Sequence, residues 1–497
     1  MDMKERTRLG LGVLSTGLLL GVLGDALLRA KPWGLNVFLW IGMLMTVLLL
    51  LVHWGRIAVT SHVTWLAFTA FLFAAVFAWR DSITLKLLDV MALLICLALL
   101  ALHSRAGSIR RAGLMEYALE AASTGLYTAC GFLVLLFSDI EWKEITGGAP
   151  LRRAMALGRG FVIAVPLLLL FTGLFMAADA VFEGMVNEVL NHYFDKLFTH
   201  IFVTGFCAWV VGGFLRGTLV GKELVMQGVP RPKSLWLGIA EVGIVLGLLD
   251  LLFLCFIIVQ FRYFFGGAAQ IGSFTKLTYA EYARRGFFEL VTVAMLVLPL
   301  LLGSQWLLRK DNPFNARLFQ GLAGIQIVML FVIMASALQR MLLYQNEYGL
   351  TELRLYTTAF MGWLDVVFIW FTATVLHGHR ERFAFGAMMA GFVWIVALHL
   401  FNPEDFIVRT NVARAGVGHS FDVQYATSLS ADTVPGLVAA LPILTPQGRY
   451  AVAGRILERW SRPQHPDWRT WNRSRAKAWQ VVRDNEVILR EMACHHR

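Results

Sequence analysis

Long apolar runs alternate with short polar stretches along most of the chain, and only the residues after Phe401 lack such a run. A helix needs about 20 apolar residues to cross roughly 30 Å of hydrocarbon. Twelve runs, with a margin of one, meet that length: 9–28, 35–52, 63–79, 83–102, 117–137, 159–180, 198–220, 235–259, 286–308, 316–338, 355–376 and 383–401. The pattern predicts an all-α fold, a polytopic transmembrane helical bundle of about 12 spans over residues 1–401.

Composition supports a membrane location. Hydrophobic residues make up 58% of the chain and charged residues only 15%, whereas soluble domains carry about 25% charged residues. The net charge of +11 comes from basic residues scattered over short loops and the tail. That scatter suits anionic lipid headgroups and the positive-inside bias better than nucleic acid. We therefore expect the lipid bilayer as a partner and expect no nucleic acid.

The basic residues also bear on orientation. With twelve spans, one side of the membrane receives Lys4, Arg6, Arg8, Arg105, Arg110 and Arg111, and the other receives Arg152, Arg153, Lys222, Lys233, Arg309, Lys310, Arg380 and Arg382. Because the two sides nearly balance, either a span around residues 105–137 is miscounted or re-entrant, or the chain follows the positive-inside rule weakly. An even number of spans places both termini on one side, and we expect both in the cytoplasm.

Ionisable residues inside the spans are candidate functional groups, since a charge there costs about 3 kcal/mol or more. Asp365 lies about ten residues into its predicted span, which is roughly 15 Å deep and near the midplane. Glu241 and Asp250 are nine residues apart on opposite helix faces, so a paired acid and base is disfavoured. Asp179 lies near a span end, where an acidic turn leaving the membrane is the simpler interpretation.

A charged stripe enters the bilayer near residue 281. Steps of four place Glu281, Arg285 and Glu289 on one helical face with alternating sign, and Arg284 lies beside them. Two interpretations stay open: a structural lock that fixes the depth of the helix, or part of a ligand or proton path.

A second polar cluster predicts an elbow between two spans. Gly349 can end one helix and Thr351 can cap the next. Its other candidate residues are Arg340, Tyr344, Glu347, Glu352 and Arg354. Such density at a membrane boundary suits a gate, a headgroup site or a hinge, although a solvated turn is the commoner outcome.

The tail, residues 402–497, has the composition of a small soluble module of four or five helices. Asn402 followed by Pro403 is a strong helix start, and Asn411 and Arg414 lie on the polar side of that helix. At this size we expect the module to depend on the membrane domain, residues 1–401, for stability.

Several of these motifs together resemble a known family. They are Leu174-Phe-Met-Ala-Ala-Asp179-Ala-Val-Phe182, Tyr279-Ala-Glu281-Tyr-Ala-Arg284-Arg285-Gly286-Phe287, Arg340-Met-Leu-Leu-Tyr344-Gln345-Asn-Glu347-Tyr348-Gly349-Leu-Thr351-Glu352-Leu-Arg354, Asn402-Pro403 with Asn411 and Arg414, and Trp471-Asn472-Arg-Ser474-Arg475. They resemble the bacterial membrane-protein family called domain of unknown function 4173, with its sister 4153, over roughly residues 170–490. The resemblance implies a multi-pass protein of the bacterial cytoplasmic (inner) membrane and supplies no catalytic residues.

The sequence lacks the signatures of well-understood chemistry. It contains no Walker loop, no dinucleotide fingerprint, no His-Glu-x-x-His and no Gly-x-Ser-x-Gly. We therefore predict no catalytic residue, metal or cofactor, and lean against an enzyme. A transporter or channel-like protein with buried carboxylates is slightly favoured. The alternative is a scaffold, sensor or accessory subunit that binds a protein partner through its C-terminal module, and a lipid-handling enzyme ranks third.

Overall fold

A computed structural model describes residues 3–56, 61–106, 125, 127–140, 149–189, 195–220, 237–265, 287–308 and 313–494. These residues form helices, short 3₁₀ turns and one isolated β-bridge between Leu237 and Leu308. The first thirteen helices are α1 Met3–Leu28, α2 Leu35–Trp54, α3 Ser61–Val76, α4 Ile83–Ala106, α5 Tyr127–Asp139, α6 Ala149–Ala178, α7 Ala180–Val189, α8 Asp195–Leu219, α9 Ile239–Phe265, α10 Phe287–Leu307, α11 Pro313–Tyr348, α12 Glu352–Thr374 and α13 Phe383–Phe401.

Nine of the described helices are long and apolar enough to cross a membrane: α1, α2, α4 and α8 to α13. Shorter apolar helices lie at Val63–Val76, Tyr127–Asp139 and Ile163–Ala178. The prediction of an all-helical polytopic membrane protein is confirmed, whereas the count of twelve is not. Of the predicted run 117–137, only residues 125 and 127–137 fall within the described residues.

Two hydrophobic clusters hold the bundle together. The first joins α1 to α5 and α8, with Phe392 of α13, and the second joins α9 to α13. Within the first cluster, α1 packs closely on α8 through small residues. A Cβ added at Gly21 would lie 2.6 Å from the carbonyl oxygen of Thr204, so only glycine permits this approach.

Six helices follow α13: α14 Pro403–Gly416, α15 Val423–Ser428, α16 Val434–Ala440, α17 Pro446–Trp460, α18 Arg473–Asp484 and α19 Glu486–Cys494. We call them the C-terminal helices. Asn402, with φ of +57°, turns the chain between α13 and α14. The C-terminal helices share a separate hydrophobic cluster centred on residues such as Ile407, Val434 and Val452. The division into domains 1–401 and 402–497 stays a prediction.

The two ends of α1 identify the two faces of the bundle. Near its C-terminal end, the carbonyl oxygen of Ala26 accepts a hydrogen bond from Arg469, which lies between α17 and α18 of the C-terminal helices. Near its N-terminal end, Arg6 pairs with Asp139 of α5 at 2.8 Å. We call the end of the bundle that carries the C-terminal helices the C-terminal face, and the other end the N-terminal face. The start of α1 and the C-terminal helices therefore lie at opposite ends of α1, an arrangement that does not favour the expectation of both termini on one side of the membrane.

Candidate functional site

The most isolated polar side chains in the described bundle lie on α9 and α11. Asp250 is 8% exposed, and both carboxylate oxygens are buried without a hydrogen-bond partner among the described residues. Gln326 is fully buried, and its amide oxygen and nitrogen are equally unpaired there. Leaving a buried polar group unpaired costs about 1–3 kcal/mol. Two such side chains on one pair of packed helices mark a candidate site.

The packing of α9 on α11 brings these two side chains to similar depth. The start of α9 is bridged to the end of α10 at Leu237 and Leu308, and α11 begins soon afterwards, so α9 and α11 run parallel. Arg340 of α11 donates to Gln260 of α9 at 2.5 Å. Counting back from this bond at 1.5 Å per residue places Asp250 and Gln326 within about 6 Å along the helix axes.

Asp250 belongs to the face of α9 that packs into the bundle. It lies between the buried residues Leu246 and Phe253, four residues before and three residues after it. That face meets α11 in the second hydrophobic cluster, which contains Leu330 close to Gln326 in sequence. The carboxylate is eleven residues into α9 and so lies about 16 Å along a helix of bilayer length.

Asp365 is half-buried on α12, next to the buried Leu364. It makes no hydrogen bond or ion pair with any residue that the structure describes. A basic partner for Asp365 could come from the arginines of the two polar clusters, but two of these are engaged elsewhere: Arg340 at Gln260, and Arg354 at the carbonyl oxygen of Gly349. The other two candidates, Arg284 and Arg285, lie outside the described residues, as does Glu281. Asp365 therefore stays a functional prediction without a partner in the described structure.

Three other predicted acids sit at helix starts or are exposed. Glu241 accepts a hydrogen bond from the backbone N–H of Gly238 at 2.5 Å, just before α9. Asp179 caps α7 by accepting from the N–H groups of Val181 and Phe182. Glu289 is exposed in the first turn of α10. Carboxylates at helix N-termini satisfy free N–H groups and favour the helix dipole.

The predicted elbow is a docking point for α14. Gly349 adopts φ of +79°, a left-handed conformation that favours glycine. The side chain of Asn411 accepts from the N–H of Leu350 and donates to its carbonyl oxygen, both at 2.8 Å. Arg414 donates to the carbonyl oxygens of Asn346 and Glu347, the last residues of α11. The polar side of α14 thus supplies partners to the end of α11.

The remaining elbow residues complete this contact. The guanidinium of Arg354 lies 4.1 Å from the ring centroid of Tyr344. The backbone N–H of Glu352 donates to the hydroxyl of Tyr425 at 2.7 Å, and its carboxylate accepts from Thr84 at 3.3 Å. Burial raises the pKa of the Tyr425 hydroxyl to about 12, so this group stays a protonated partner. Asn402 contributes through its backbone turn, with no side-chain hydrogen bond to the start of α14.

A larger polar cluster, which sequence reasoning missed, ties α18 to the loop between α3 and α4. Arg80 pairs with Asp432 at 3.1 Å, and the hydroxyl of Ser474 donates to the same carboxylate at 2.6 Å. The backbone N–H of Asp81 also donates to Asp432 at 2.8 Å. Asn472 donates to the carbonyl oxygens of Phe77 and Arg80. Asp432, Asn472 and Ser474 are all buried, so this contact is a sealed interface.

Arg475 reaches the loop between α1 and α2. It donates to the carbonyl oxygens of Pro32 and Trp33 and lies 3.4 Å from the carboxylate of Asp81. Burial lowers the pKa of this guanidinium, and the negative charge of Asp81 opposes that shift. The motif Trp471-Asn472-Arg-Ser474-Arg475 was recognisable in the sequence, but its partners are hundreds of residues away and had no local signal.

Buried polar contacts between helices of the bundle were also missed. His399 of α13 lies 2.9 Å from Asp89 of α4, and both side chains are essentially unexposed. Asp139 bridges Arg6 and Arg216, at 2.8 and 2.6 Å. Each of these pairs joins helices that are far apart in the chain, which is why spacing within one helix did not reveal them.

No group of three or more His, Cys, Asp or Glu side chains within the described ranges is arranged to hold a metal ion. The candidate chemistry is therefore that of the unpaired carboxylate and amide on α9 and α11. A carboxylate can take up a proton, and oxygen ligands of these two kinds suit small hard cations.

Comparison with known proteins places the chain in a family. A family model described as domain of unknown function, DUF4153, matches residues 67–440, about three quarters of the chain. The protein belongs to this family. The matching model is that of the sister family 4153, and the predicted match to 4173 is not confirmed. No curated protein and no solved structure matches the chain.

Proposed function

We propose that this protein is a membrane transport protein that binds a proton or a small monovalent cation at Asp250, between α9 and α11. The observation that carries the proposal is the presence of two buried polar side chains without hydrogen-bond partners, Asp250 and Gln326, on helices packed against each other. This proposal keeps the expectation of a transporter with buried carboxylates, and it takes Asp250, rather than Asp365, as the main ion-binding group.

The physical argument concerns charge. An ionised carboxylate cannot remain unpaired in a low-dielectric interior, so it takes up a proton or holds a cation. Asp250 faces the described residues of α11 without a basic partner, and Gln326 offers a carbonyl oxygen but no positive charge. Exchange of the neutralising ion between the two membrane sides is the simplest use of such a group at this depth.

Asp365 is a second candidate ion-binding carboxylate in this transport proposal. It lies near the middle of α12 and carries no salt bridge with described residues. We propose that it is a second protonatable position, subordinate to Asp250 because it is less buried.

The test uses the full chain purified in detergent and reconstituted in liposomes. Thermal unfolding is measured across pH and in Li⁺, Na⁺ or K⁺, and flux is followed with a pH-sensitive dye and a cation-sensitive dye. We expect Asp250→Asn to remove the stabilisation by proton or cation and to abolish flux, while the protein still folds. Glu289→Gln, which neutralises an exposed carboxylate in the neighbouring helix α10, is the matched control and should leave both properties unchanged.

A second candidate function is that of a scaffold or accessory subunit acting through the C-terminal helices. Its support is a group of exposed apolar side chains there, with Val487 70% and Trp468 63% exposed. If Asp250→Asn retains every ion-dependent property of the parent protein, the transport proposal fails and this reading takes its place. A pull-down that depends on Val487 would then support it.

A further inference from the structure

The two faces of the bundle differ in their basic residues, which bears on orientation independently of the proposed function. Helix direction assigns each end to a face. The starts of α2, α4 and α12 and the ends of α1, α3, α11 and α13 contact the C-terminal helices or their immediate neighbours. Their opposite ends therefore define the N-terminal face, together with Asp139 and the end of α8 at Arg216.

Basic residues are concentrated at the N-terminal face. Described residues at helix ends or turns on that face are Lys4, Arg6, Arg8, Arg56, Arg105, Arg317, Arg380 and Arg382. In sequence, the connections that join helix ends at this face add Lys222, Arg231, Lys233, Arg309 and Lys310. Short loops therefore bring many lysines and arginines to this side of the membrane.

The C-terminal face has fewer basic residues in its short connections, and several are paired. Arg29, Arg80 and Lys86 lie beside Asp25, Asp432 and Asp81. Lys31 and Lys196 also belong to this face, but the connection between α11 and α12, residues 349–351, has no basic residue, and the stretch 179–195 is acidic without a lysine or arginine. Lys276, Arg284 and Arg285 fall in the connection from α9 to α10. The balance therefore favours the N-terminal face clearly.

We propose that the N-terminal face is cytoplasmic and that the C-terminal helices lie on the opposite side of the membrane, outside the cytoplasm. The positive-inside rule counts lysine and arginine in short loops near the spans, whereas long segments cross largely regardless of charge. The many arginines of the C-terminal helices therefore do not oppose this orientation. A partner or ligand of these helices would meet them outside the cytoplasm.

The same placement accounts for the apparent balance of basic residues in the sequence. Both α4 and α5 end at the N-terminal face, so Ala106 and Asp139 lie at the same end of the bundle. The twelve-span prediction counts the run 117–137 as a full crossing, and it therefore assigns residues such as Arg6 and Arg380 to opposite sides of the membrane. If the described helices α1 to α4, α6 and α8 to α13 are the crossings, their number is eleven, which is odd and places the two termini on opposite sides.

Cysteine accessibility tests this orientation in the full chain. In a background with the five native cysteines replaced by alanine, Val417→Cys places a thiol at the C-terminal face, where Val417 is 77% exposed. His379→Cys places one in the exposed turn between α12 and α13, at the N-terminal face. In intact cells of a bacterial host, we expect a membrane-impermeant maleimide to label Val417→Cys and to reach His379→Cys only after permeabilisation.

A second measurement guards against poor folding of the cysteine-free background. Alkaline phosphatase fused after Arg497 of the unmodified chain should be active, and green fluorescent protein fused before Met1 should fluoresce. Labelling of His379→Cys alone in intact cells, or an inactive C-terminal phosphatase together with a non-fluorescent N-terminal fusion, would reverse the orientation and overturn the proposal. Equal labelling of both thiols in intact cells, with both termini reporting one compartment, would overturn it as well.

Discussion

Single charged residues withdrawn from water fix the relative positions of helices in this protein. Asp139 is the clearest case, because its carboxylate is fully buried and receives guanidinium groups from both Arg6 and Arg216. The side chain of Arg216 is only 11% exposed, whereas that of Arg6 is 30% exposed. A buried carboxylate between two arginines contributes to stability mainly because it neutralises guanidinium charges that would otherwise be buried without a counter-charge.

Neutralising Asp139 alone should therefore lower stability more, for each charge removed, than neutralising Asp139 and Arg216 together. We expect Asp139→Asn to lower the free energy of unfolding by about 3–5 kcal/mol, because it leaves Arg216 buried without a counter-charge. The double variant Asp139→Asn with Arg216→Gln should lose less than the sum of the single losses. Thermal unfolding in detergent measures this coupling, and additive losses would show that Arg216 is hydrated.

The stability of the C-terminal helices should depend on pH through the buried carboxyl group of Glu404. Burial raises its pKa to about 6, although hydrogen bonds from Ser430 and Ser82 favour the ionised form. Because the folded pKa lies above the usual value of 4.5, the folded state binds this proton more tightly than the unfolded state. The ionisation penalty is absent below pH 4.5, grows up to about pH 6 and is constant above that.

Acidification from pH 7 to pH 5 should thus strengthen this region by about 1 kcal/mol through Glu404. Glu404→Gln should abolish most of that change and raise stability at pH 7, since the amide oxygen can still accept from the N–H of Ser430. Hydrogen exchange of the C-terminal helices at the two pH values checks this. A pH dependence that is unchanged in Glu404→Gln would assign it to other groups.

Helix pairs in the bundle are specified by shape as much as by charge. The α1–α8 pair relies on Gly17 and Gly21, which lie one turn apart and face Gly212, Ala208 and the backbone of Thr204. Without a hydrophobic driving force between helices in lipid, close van der Waals packing through small residues stabilises such pairs.

Enlarging one of these glycines should separate α1 from α8. We expect Gly21→Ala to destabilise the protein by about 1–3 kcal/mol, because its Cβ would meet a backbone oxygen that cannot move independently. Gly243→Ala on α9 is the matched control, since a Cβ there meets nothing within 4 Å. Equal thermal stabilities for the two variants would mean that the helices can shift apart without loss.

Elements were more predictable from sequence than their contacts. Runs such as 35–52 and 383–401 coincide closely with α2 and α13 because length and hydrophobicity define a span by themselves. The start of α14 after Asn402-Pro403 was likewise local information. The inward faces were not predictable, because membrane helices are apolar all round and lack an amphipathic stripe. Gln326 was overlooked for that reason, since only its packing shows that it is buried.

At the scale of the whole molecule, the C-terminal helices are held to both halves of the bundle. They contact the α3–α4 loop through Asp432 and Ser474, and the α11–α12 turn through Asn411 and Tyr425. The sequence predicted that this segment would depend on the membrane domain, on the ground of its small size. That dependence stays a prediction, and the contacts that bear on it join residues such as Arg80 and Asp432, whose separation of 352 residues no local pattern encodes.

Asp432 is the residue on which this attachment should depend most, because its buried carboxylate accepts from Arg80, the N–H of Asp81 and Ser474. Asp432→Ala leaves Arg80 largely buried without its counter-charge, and we expect a loss of roughly 3–5 kcal/mol. The loss should appear as faster proteolysis within the C-terminal helices of the detergent-purified protein, before the membrane helices unfold.

Glu486→Ala provides the matched control, since it removes an acid from an exposed pair with Arg490 in the same region. Exposed pairs of this kind contribute only about 0.3–0.5 kcal/mol, so its proteolysis rate should stay close to that of the parent protein. If Asp432→Ala and Glu486→Ala are cleaved at the same slow rate, Asn411, Arg475 and the other backbone contacts hold the C-terminal helices without the Arg80–Asp432 pair. If instead the membrane helices lose stability together with the C-terminal helices, the two regions unfold as one cooperative unit, and the interface around Asp432 is part of the core of the protein.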